Sequence, residues 1–188
     1  MEQALLTVND LSVEFSTPMG VVKAVTHVSW SLQQGEILAI VGESGSGKSV
    51  TALSILQLIA TPPGRIVSGD VLFDGQNLLA LSEDSIRTIR GRKISMVFQE
   101  PMTSLNPVLT IGRQLTETLE LHENMSSDEA SVRAAELLDM VGMYDRRFYL
   151  PGKLSGGEQQ RVAIARGVAN NPCLLYTSPS PRDGLLSR

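Results

Sequence analysis

The residues of this sequence best suited to chemistry form a glycine-rich run, residues 42–49, which reads Gly-Glu-Ser-Gly-Ser-Gly-Lys-Ser. The run fits the pattern G-x-x-x-x-G-K-[S/T]. Its glycines let successive backbone N–H groups point at phosphate oxygens, Lys48 would reach the β- and γ-phosphates, and the Ser49 hydroxyl would bind Mg²⁺. The run therefore predicts a site for a nucleoside triphosphate. A flexible loop between a strand and a helix is the alternative.

The segments on either side of this run have the order that such a site needs. Residues 36–41 form a short, continuous apolar stretch, which is typical of a strand buried on both faces of a sheet. Residues 48–60 have apolar side chains at helical spacing, and the start of that helix would present its positive dipole end to the same anion. Because kinases, GTPases and transport ATPases share this loop, it predicts nucleotide binding without selecting among them.

A second candidate anion site lies late in the chain. Residues 154–161 read Leu-Ser-Gly-Gly-Glu-Gln-Gln-Arg and open a predicted helix that runs to about residue 170. Free N–H groups at a helix start, together with the Ser155 hydroxyl, can bind an anion. An ordinary capped helix explains the local pattern equally well.

The order of predicted elements indicates an α/β fold with a helical insertion. Strands are expected at residues 5–15, 21–32, 66–73, 93–98 and 173–175. Further helices are expected at residues 82–90, 110–122 and 127–141. The last of these begins with a capping box formed by Ser126 and Glu129.

Composition narrows the classes of partner. The chain has 188 residues with 16 Lys+Arg against 20 Asp+Glu, a net charge of −4, which disfavours a nucleic-acid partner. A single cysteine excludes an internal disulfide and fits a reducing compartment. No apolar run approaches the ~18 residues of a membrane span, and no signal-peptide pattern is present. We therefore expect a cytosolic chain that meets a membrane only through another protein.

The two glycine-containing motifs together resemble those of ATP-binding-cassette (ABC) ATPases. The stretch 160–166, Gln-Arg-Val-Ala-Ile-Ala-Arg, matches the family's helix closely, and Glu158 stands where Gln is commonest. The resemblance covers residues 5–175 and implies a P-loop NTPase core with an N-terminal antiparallel β subdomain and a helical insertion. Residues 1–175 would be a partial ATP-binding domain, with a Q-loop and helical subdomain over about 100–155.

The same resemblance assigns roles to individual residues around ATP and Mg²⁺. Lys48 and Gln99 would act in catalysis, and Ser49 and Gln99 at the metal. Phe15 would stack on adenine, although a strand aromatic packed in the core is the alternative. The nucleotide-binding residues implied are Phe15, Gly42, Glu43, Ser44, Gly45, Ser46, Gly47, Lys48, Ser49 and Val50. Those implied to contact the ATP of a partner cassette are Ser155, Gly156, Gly157 and Glu158.

A narrower resemblance comes from residues 98–107, Phe-Gln-Glu-Pro-Met-Thr-Ser-Leu-Asn-Pro, which are similar to ATPase subunits of dipeptide and oligopeptide (nickel, glutathione) importers. Residues 150–153 are less typical of that group. The resemblance implies a second ABC ATPase subunit, identical or paralogous, as partner. It also implies transmembrane permease subunits contacted through the Gln99 loop and the helical subdomain. The chain would then sit at the cytoplasmic face of the membrane as a peripheral protein.

One expected motif is missing. Where the family has an Asp–Glu pair at a strand end, this sequence has Ser178 and Pro179. We therefore expect the general base to be absent and the chain to be inactive alone. We also expect the sheet to be incomplete at the C-terminus and residues 176–188 to be an atypical, non-native tail. A non-catalytic nucleotide-binding regulatory module and a non-transport ABC protein remain as alternatives, whereas the signature helix disfavours a small-molecule kinase. His27 and His122 are interpreted as surface or packing residues, and Trp30 as core.

Overall fold

The computed structural model describes residues 4–98 and 104–177. The chain forms two compact units, Met1–Arg87 and Thr88–Arg188. None of the helices in the described ranges is both long and apolar enough to cross a membrane.

The first unit is built on an antiparallel sheet of four strands in the order β2-β1-β3-β4. Its inner face carries alternate apolar side chains, as the period-two pattern predicts, and Leu6, Val8, Leu11 and Val13 are at most 1% exposed. The strands predicted at residues 5–15, 21–32 and 66–73 and the antiparallel subdomain are thus confirmed. The strands are β1 (Leu6–Thr17), β2 (Gly20–Leu32), β3 (Gly64–Phe73) and β4 (Gln76–Asn77).

A bulge in β1 keeps its apolar residues on one face. The alternation Leu6, Val8 would place Leu11 on the opposite face, but the pairing register shifts between Val8 and Leu11. Asp10 takes a φ of 49° there. The extra residue resets the alternation, so that both apolar pairs enter the core.

The helices of the first unit are α1 (Lys48–Ile55) and α2 (Glu83–Arg87), with a 3₁₀ turn at Leu78–Ala80. The sequence pattern predicted α1 to run to residue 60, and it ends earlier. Gln57 adopts the left-handed conformation, and the Leu58 N–H donates to the Leu53 carbonyl at 2.8 Å. This is a Schellman-type ending, which closes the helix without a glycine.

The predicted strand at residues 36–41 is wrong for the described structure. The segment has no strand conformation, and Ile37 and Val41 are 95% and 88% exposed. A strand buried on both faces needs a neighbour along each edge. Among the described residues the only parallel pair is in the second unit, and nothing pairs with this segment.

Within its described residues, the second unit packs three helices beside a short parallel pair of strands. Ile111, Leu115, Leu119, Leu138 and Val162 are completely buried in its core. The predicted helical insertion is confirmed, with helix ends within about two residues of those expected from the sequence. The elements are β5 (Ile94–Val97), α3 (Ile111–Glu123), α4 (Ser127–Met140), α5 (Gly156–Val168), β6 (Leu174–Thr177) and 3₁₀ turns at Tyr144–Arg146 and Pro151–Lys153.

Candidate functional site

The glycine-rich loop lies in the first unit, immediately before α1. The Lys48 side chain folds back over it, and Nζ donates to the carbonyl oxygens of Gly42 at 2.6 Å and Glu43 at 2.7 Å and to Ser46 Oγ at 3.2 Å. The loop therefore curls around one ammonium group. The positively charged Lys48 ammonium, surrounded by these loop oxygens, is suited to binding a polyanion.

The loop glycines differ in how strongly their surroundings require glycine. Gly47 has a φ of +88°, and a Cβ there would collide with the carbonyl oxygen of Ala24. A Cβ on Gly42 would lie 2.7 Å from Ser46 Oγ. Gly45 has a φ of +83° but open space around it, so only its backbone conformation favours glycine.

Within the described chain, the first turn of α1 has neither a capping side chain nor a negative charge of its own. Its N–H groups and positive dipole end are free to serve an anion. Ser49 in the same turn is exposed, as are Glu43 and Ser44 in the loop, and Val50 is half-buried. These residues fit a nucleoside triphosphate, and the Ser49 hydroxyl is left for Mg²⁺. Gln99 lies outside the described residues.

Phe15 lies on β1 between Val22 of β2 and Gly64 of β3. It is half-buried, and a Cβ built on Gly64 would lie 2.8 Å from its Cε1. The ring thus packs over Gly64 while part of it stays accessible, which leaves both interpretations of Phe15 open. Val22, opposite Phe15 on β2, is 52% exposed, and no sequence motif indicated it.

The second predicted anion site is the start of α5. Ser155 caps the helix: its Oγ accepts from the Glu158 N–H at 3.3 Å, while the Glu158 carboxylate accepts from the Ser155 N–H and hydroxyl at 2.8 Å each. A Cβ on Gly156 or Gly157 would meet nothing within 4 Å. No contact within the described chain therefore requires glycine at these two positions.

The charge of Glu158 is stabilised locally. The hydrogen bonds from the Ser155 backbone and then from its hydroxyl lower the pKa of Glu158 from its ordinary value of 4.5. Arg146, whose Nε is 4.0 Å from the carboxylate, contributes less, as does Arg161. Arg146 belongs to a preceding 3₁₀ turn, and no sequence spacing pointed to it.

A capping box with the same hydrogen bonds begins α4. There Ser126 and Glu129 exchange the same contacts, with Ser127 and Asp128 where α5 has its two glycines. The predicted box at α4 is confirmed. The comparison shows that the box itself is a general helix device, and that the pair of open glycines distinguishes α5.

The remaining candidates from the sequence are two histidines and a tryptophan. His27 is exposed with Nδ1 2.7 Å from Asp10 Oδ1. His122 is half-buried in the second unit. Trp30 is only half-buried, because it lies on the edge strand β2, and its Nε1 has no hydrogen-bond partner in the described part of the chain.

The curled loop before α1, the antiparallel sheet and the glycine start of α5 define an α/β P-loop nucleotide-binding domain. A family model described as ABC transporter matches residues 25–177, and the chain belongs to this family. The expected resemblance and fold class are thereby confirmed.

Curated relatives and solved structures agree with this assignment. The chain is 50% identical over 174 residues to the oligopeptide transport ATP-binding protein OppD of Bacillus subtilis, which covers 91% of this chain and 49% of the relative. It is 52% identical over 176 residues to the peptidoglycan transport ATP-binding protein YejF of Agrobacterium fabrum, 92% of this chain and 32% of the relative. The chain thus spans about half or less of these relatives.

Among solved structures, the dimeric ATP-binding cassette MJ0796, in a post-hydrolysis state bound to ADP and Pi, superposes with a TM-score of 0.82 and 32% identity. The match covers 92% of this chain and 72% of that one. The likeness supports the cassette fold for the described elements.

Proposed function

We propose that this chain is the nucleotide-binding part of an ABC importer for peptides or similar small solutes, and that it binds Mg-ATP at residues 42–49. The observation that carries the proposal is the Lys48 ammonium held inside the loop at the uncapped start of α1. The names of the relatives, which refer to oligopeptide and peptidoglycan transport, support the class of solute.

In this proposal the chain's own groups bind and orient the triphosphate. The loop N–H groups and Lys48 take the β- and γ-phosphates, and Phe15 stacks on the base. The Ser49 hydroxyl, with Gln99, holds Mg²⁺, which when bound neutralises charge on the phosphate oxygens. Lys48 exchanges its carbonyl acceptors at Gly42 and Glu43 for phosphate oxygens.

The start of α5 serves a second cassette. Ser155, Gly156, Gly157 and Glu158 contact the ATP bound by an identical or paralogous subunit. The open space around the two glycines supports this role, because it leaves room for a ligand that the chain itself does not supply. Residues 1–175 form the domain, with the segment of about 100–155 contacting transmembrane permease subunits at the cytoplasmic face of the membrane.

Hydrolysis is proposed for the intact assembly, and binding with little turnover for this chain alone. Ser178 and Pro179 stand where the family places its acidic pair. Loss of a positioned general base typically lowers the rate by roughly 10²–10⁴-fold. The same two residues support the alternative of a regulatory nucleotide-binding module, which predicts ATP binding without association with a permease.

The test is Mg-ATP affinity in the Lys48→Ala variant, measured by calorimetry. Loss of one charge-assisted contact is worth ~1.5–3 kcal/mol, so we expect binding to weaken by tenfold or more. Lys23→Ala, which removes an exposed ammonium from β2 of the same unit, should bind as the unmodified chain does. Equal affinity of the Lys48→Ala variant and the unmodified chain would overturn the proposal.

A further inference from the structure

The second unit contains a cavity of about 220 Å³ that neither motif uses. It lies between β5, α3 and the last turns of α5. Its polar lining includes Ser95, Thr118, His122, Arg166 and Asn170. The cavity is large enough for a small ligand and is set wholly within one unit of the chain.

Arg166 brings a positive charge to this cavity. Its Nη1 donates to the Ser104 carbonyl oxygen at 2.7 Å. None of the described residues that line this cavity is Asp or Glu, and Glu117 lines an adjoining cavity to which Arg166 also contributes. Burial lowers the pKa of Arg166. A guanidinium in this position can donate hydrogen bonds to the oxygens of an oxyanion.

Asn170 adds a buried hydrogen-bond acceptor, Oδ1, to which none of the described residues donates. The residue is 8% exposed, and its Nδ2 donates to the Gly91 carbonyl oxygen at 2.9 Å, which fixes the orientation of the amide. Its Oδ1 is buried, and no group in the described part of the chain donates a hydrogen bond to it. Buried acceptors are nearly always satisfied, so this oxygen indicates a missing donor. Asn170 follows the end of α5 by two residues, and both Asn170 and Arg166 line the cavity.

We propose that this cavity binds a small oxyanion that retains a proton, of the hydrogen-phosphate class. Arg166 donates to the anion's oxygens, and the anion's own O–H donates to Asn170 Oδ1. A fully deprotonated oxyanion such as sulfate satisfies Arg166 but leaves Asn170 unpaired, so the cavity discriminates between two ions of similar size. The proposal is independent of nucleotide binding at residues 42–49.

His122 provides a direct readout of the cavity. A Cβ on Gly91 would lie 3.1 Å from His122 Nε2, so the ring lies against the same glycine that Asn170 binds. The chain has two histidines, and the other, His27, belongs to the first unit. The ring signals of both can be followed by NMR in one titration at constant pH and ionic strength.

The experiment titrates the full chain with inorganic phosphate and, separately, with sulfate. We expect phosphate to shift the His122 signals saturably and sulfate to leave them unchanged. The same response should persist in the Lys48→Ala variant, which excludes an effect of phosphate at the glycine-rich loop. An unmoved His122, equal responses to the two ions, or loss of the response in the Lys48→Ala variant would overturn the proposal.

A pair of variants tests the proposed contact. Arg166→Gln should weaken the phosphate response by about tenfold or more. Arg113→Gln, which removes an exposed guanidinium from α3, should respond as the unmodified chain does. An undiminished response of a folded Arg166→Gln variant would refute the site. If that variant does not fold, the discrimination of phosphate from sulfate by the unmodified chain decides the question.

Discussion

The glycines of the two motifs differ in the structural constraint that favours glycine at each position. Gly47 combines a left-handed backbone with a collision against Ala24, whereas Gly45 has the backbone conformation alone. Gly156 and Gly157 have neither constraint. The motifs place these residues together, and the structure separates the glycine that the fold requires from those that no contact within the described chain requires.

The two loop glycines give a matched prediction. Gly45→Ala should cost about 1–2 kcal/mol of unfolding free energy, the usual penalty of a left-handed residue with a Cβ. Gly47→Ala should cost more, because the backbone must also move away from the Ala24 carbonyl. Urea unfolding of both variants checks this order. Equal losses would show that the collision at residue 47 is relieved without cost.

A pH prediction follows from Glu158. Its pKa is lowered from 4.5 in the folded chain, so its hydrogen bonds to Ser155 stabilise the fold above that pH. The stability is lost as the pH falls through the lower pKa of the folded state. Glu158→Gln should therefore lose unfolding free energy less steeply in acid than the unmodified chain.

Urea unfolding over a series of acidic pH values measures that slope. Glu129→Gln should reproduce the effect, since Glu129 occupies the same capping box and its pKa is also lowered. Glu136→Gln, in a surface ion pair with Arg133, is the control and should follow the unmodified chain. An unchanged slope for Glu158→Gln would contradict the account of the box.

At the scale of elements, α3 shows how one helix serves the core of the second unit. Leu119 is fully buried among the helices, while Leu121, two residues later, is 72% exposed. Leu119→Ala should cost ~2–5 kcal/mol of unfolding free energy through lost burial and the cavity left behind. Leu121→Ala should change it by about 0.5 kcal/mol or less. Similar losses in urea unfolding would mean that α3 is packed differently.

The elements also show what sequence patterns can and cannot determine. Alternation predicted β1–β3 and helical spacing predicted α3–α5, because a single segment contains the whole signal. Residues 36–41 have an equally strong apolar pattern but no pairing in the described structure, since a buried strand depends on neighbours that its own sequence does not specify. Arg146 near Glu158 and the Arg166 cavity were missed for the same reason: distant segments meet there only after folding.

At the scale of the whole molecule, the proposed function requires that two cassettes share the bound nucleotide. The phosphate loop belongs to the first unit and the start of α5 to the second. Lys48 and the uncapped start of α1 offer donors to an anion, and the two glycines at the start of α5 are surrounded by open space. A variant in one motif and a variant in the other should therefore complement each other when two copies associate.

The most direct measurement is sedimentation with Mg-ATP of Lys48→Ala, of Gly157→Leu, and of their equimolar mixture. Gly157→Leu adds a side chain where the chain has open space, so the fold is kept and the approach of a partner's ATP is blocked. Gly152→Leu, at another open position, is the control. We expect the unmodified chain and the control to associate with Mg-ATP, and each test variant alone to associate about tenfold or more weakly. The mixture should regain association, because a pair made of one copy of each variant keeps one of its two nucleotide sites intact. A mixture that associates no better than either variant alone would contradict the shared-nucleotide account.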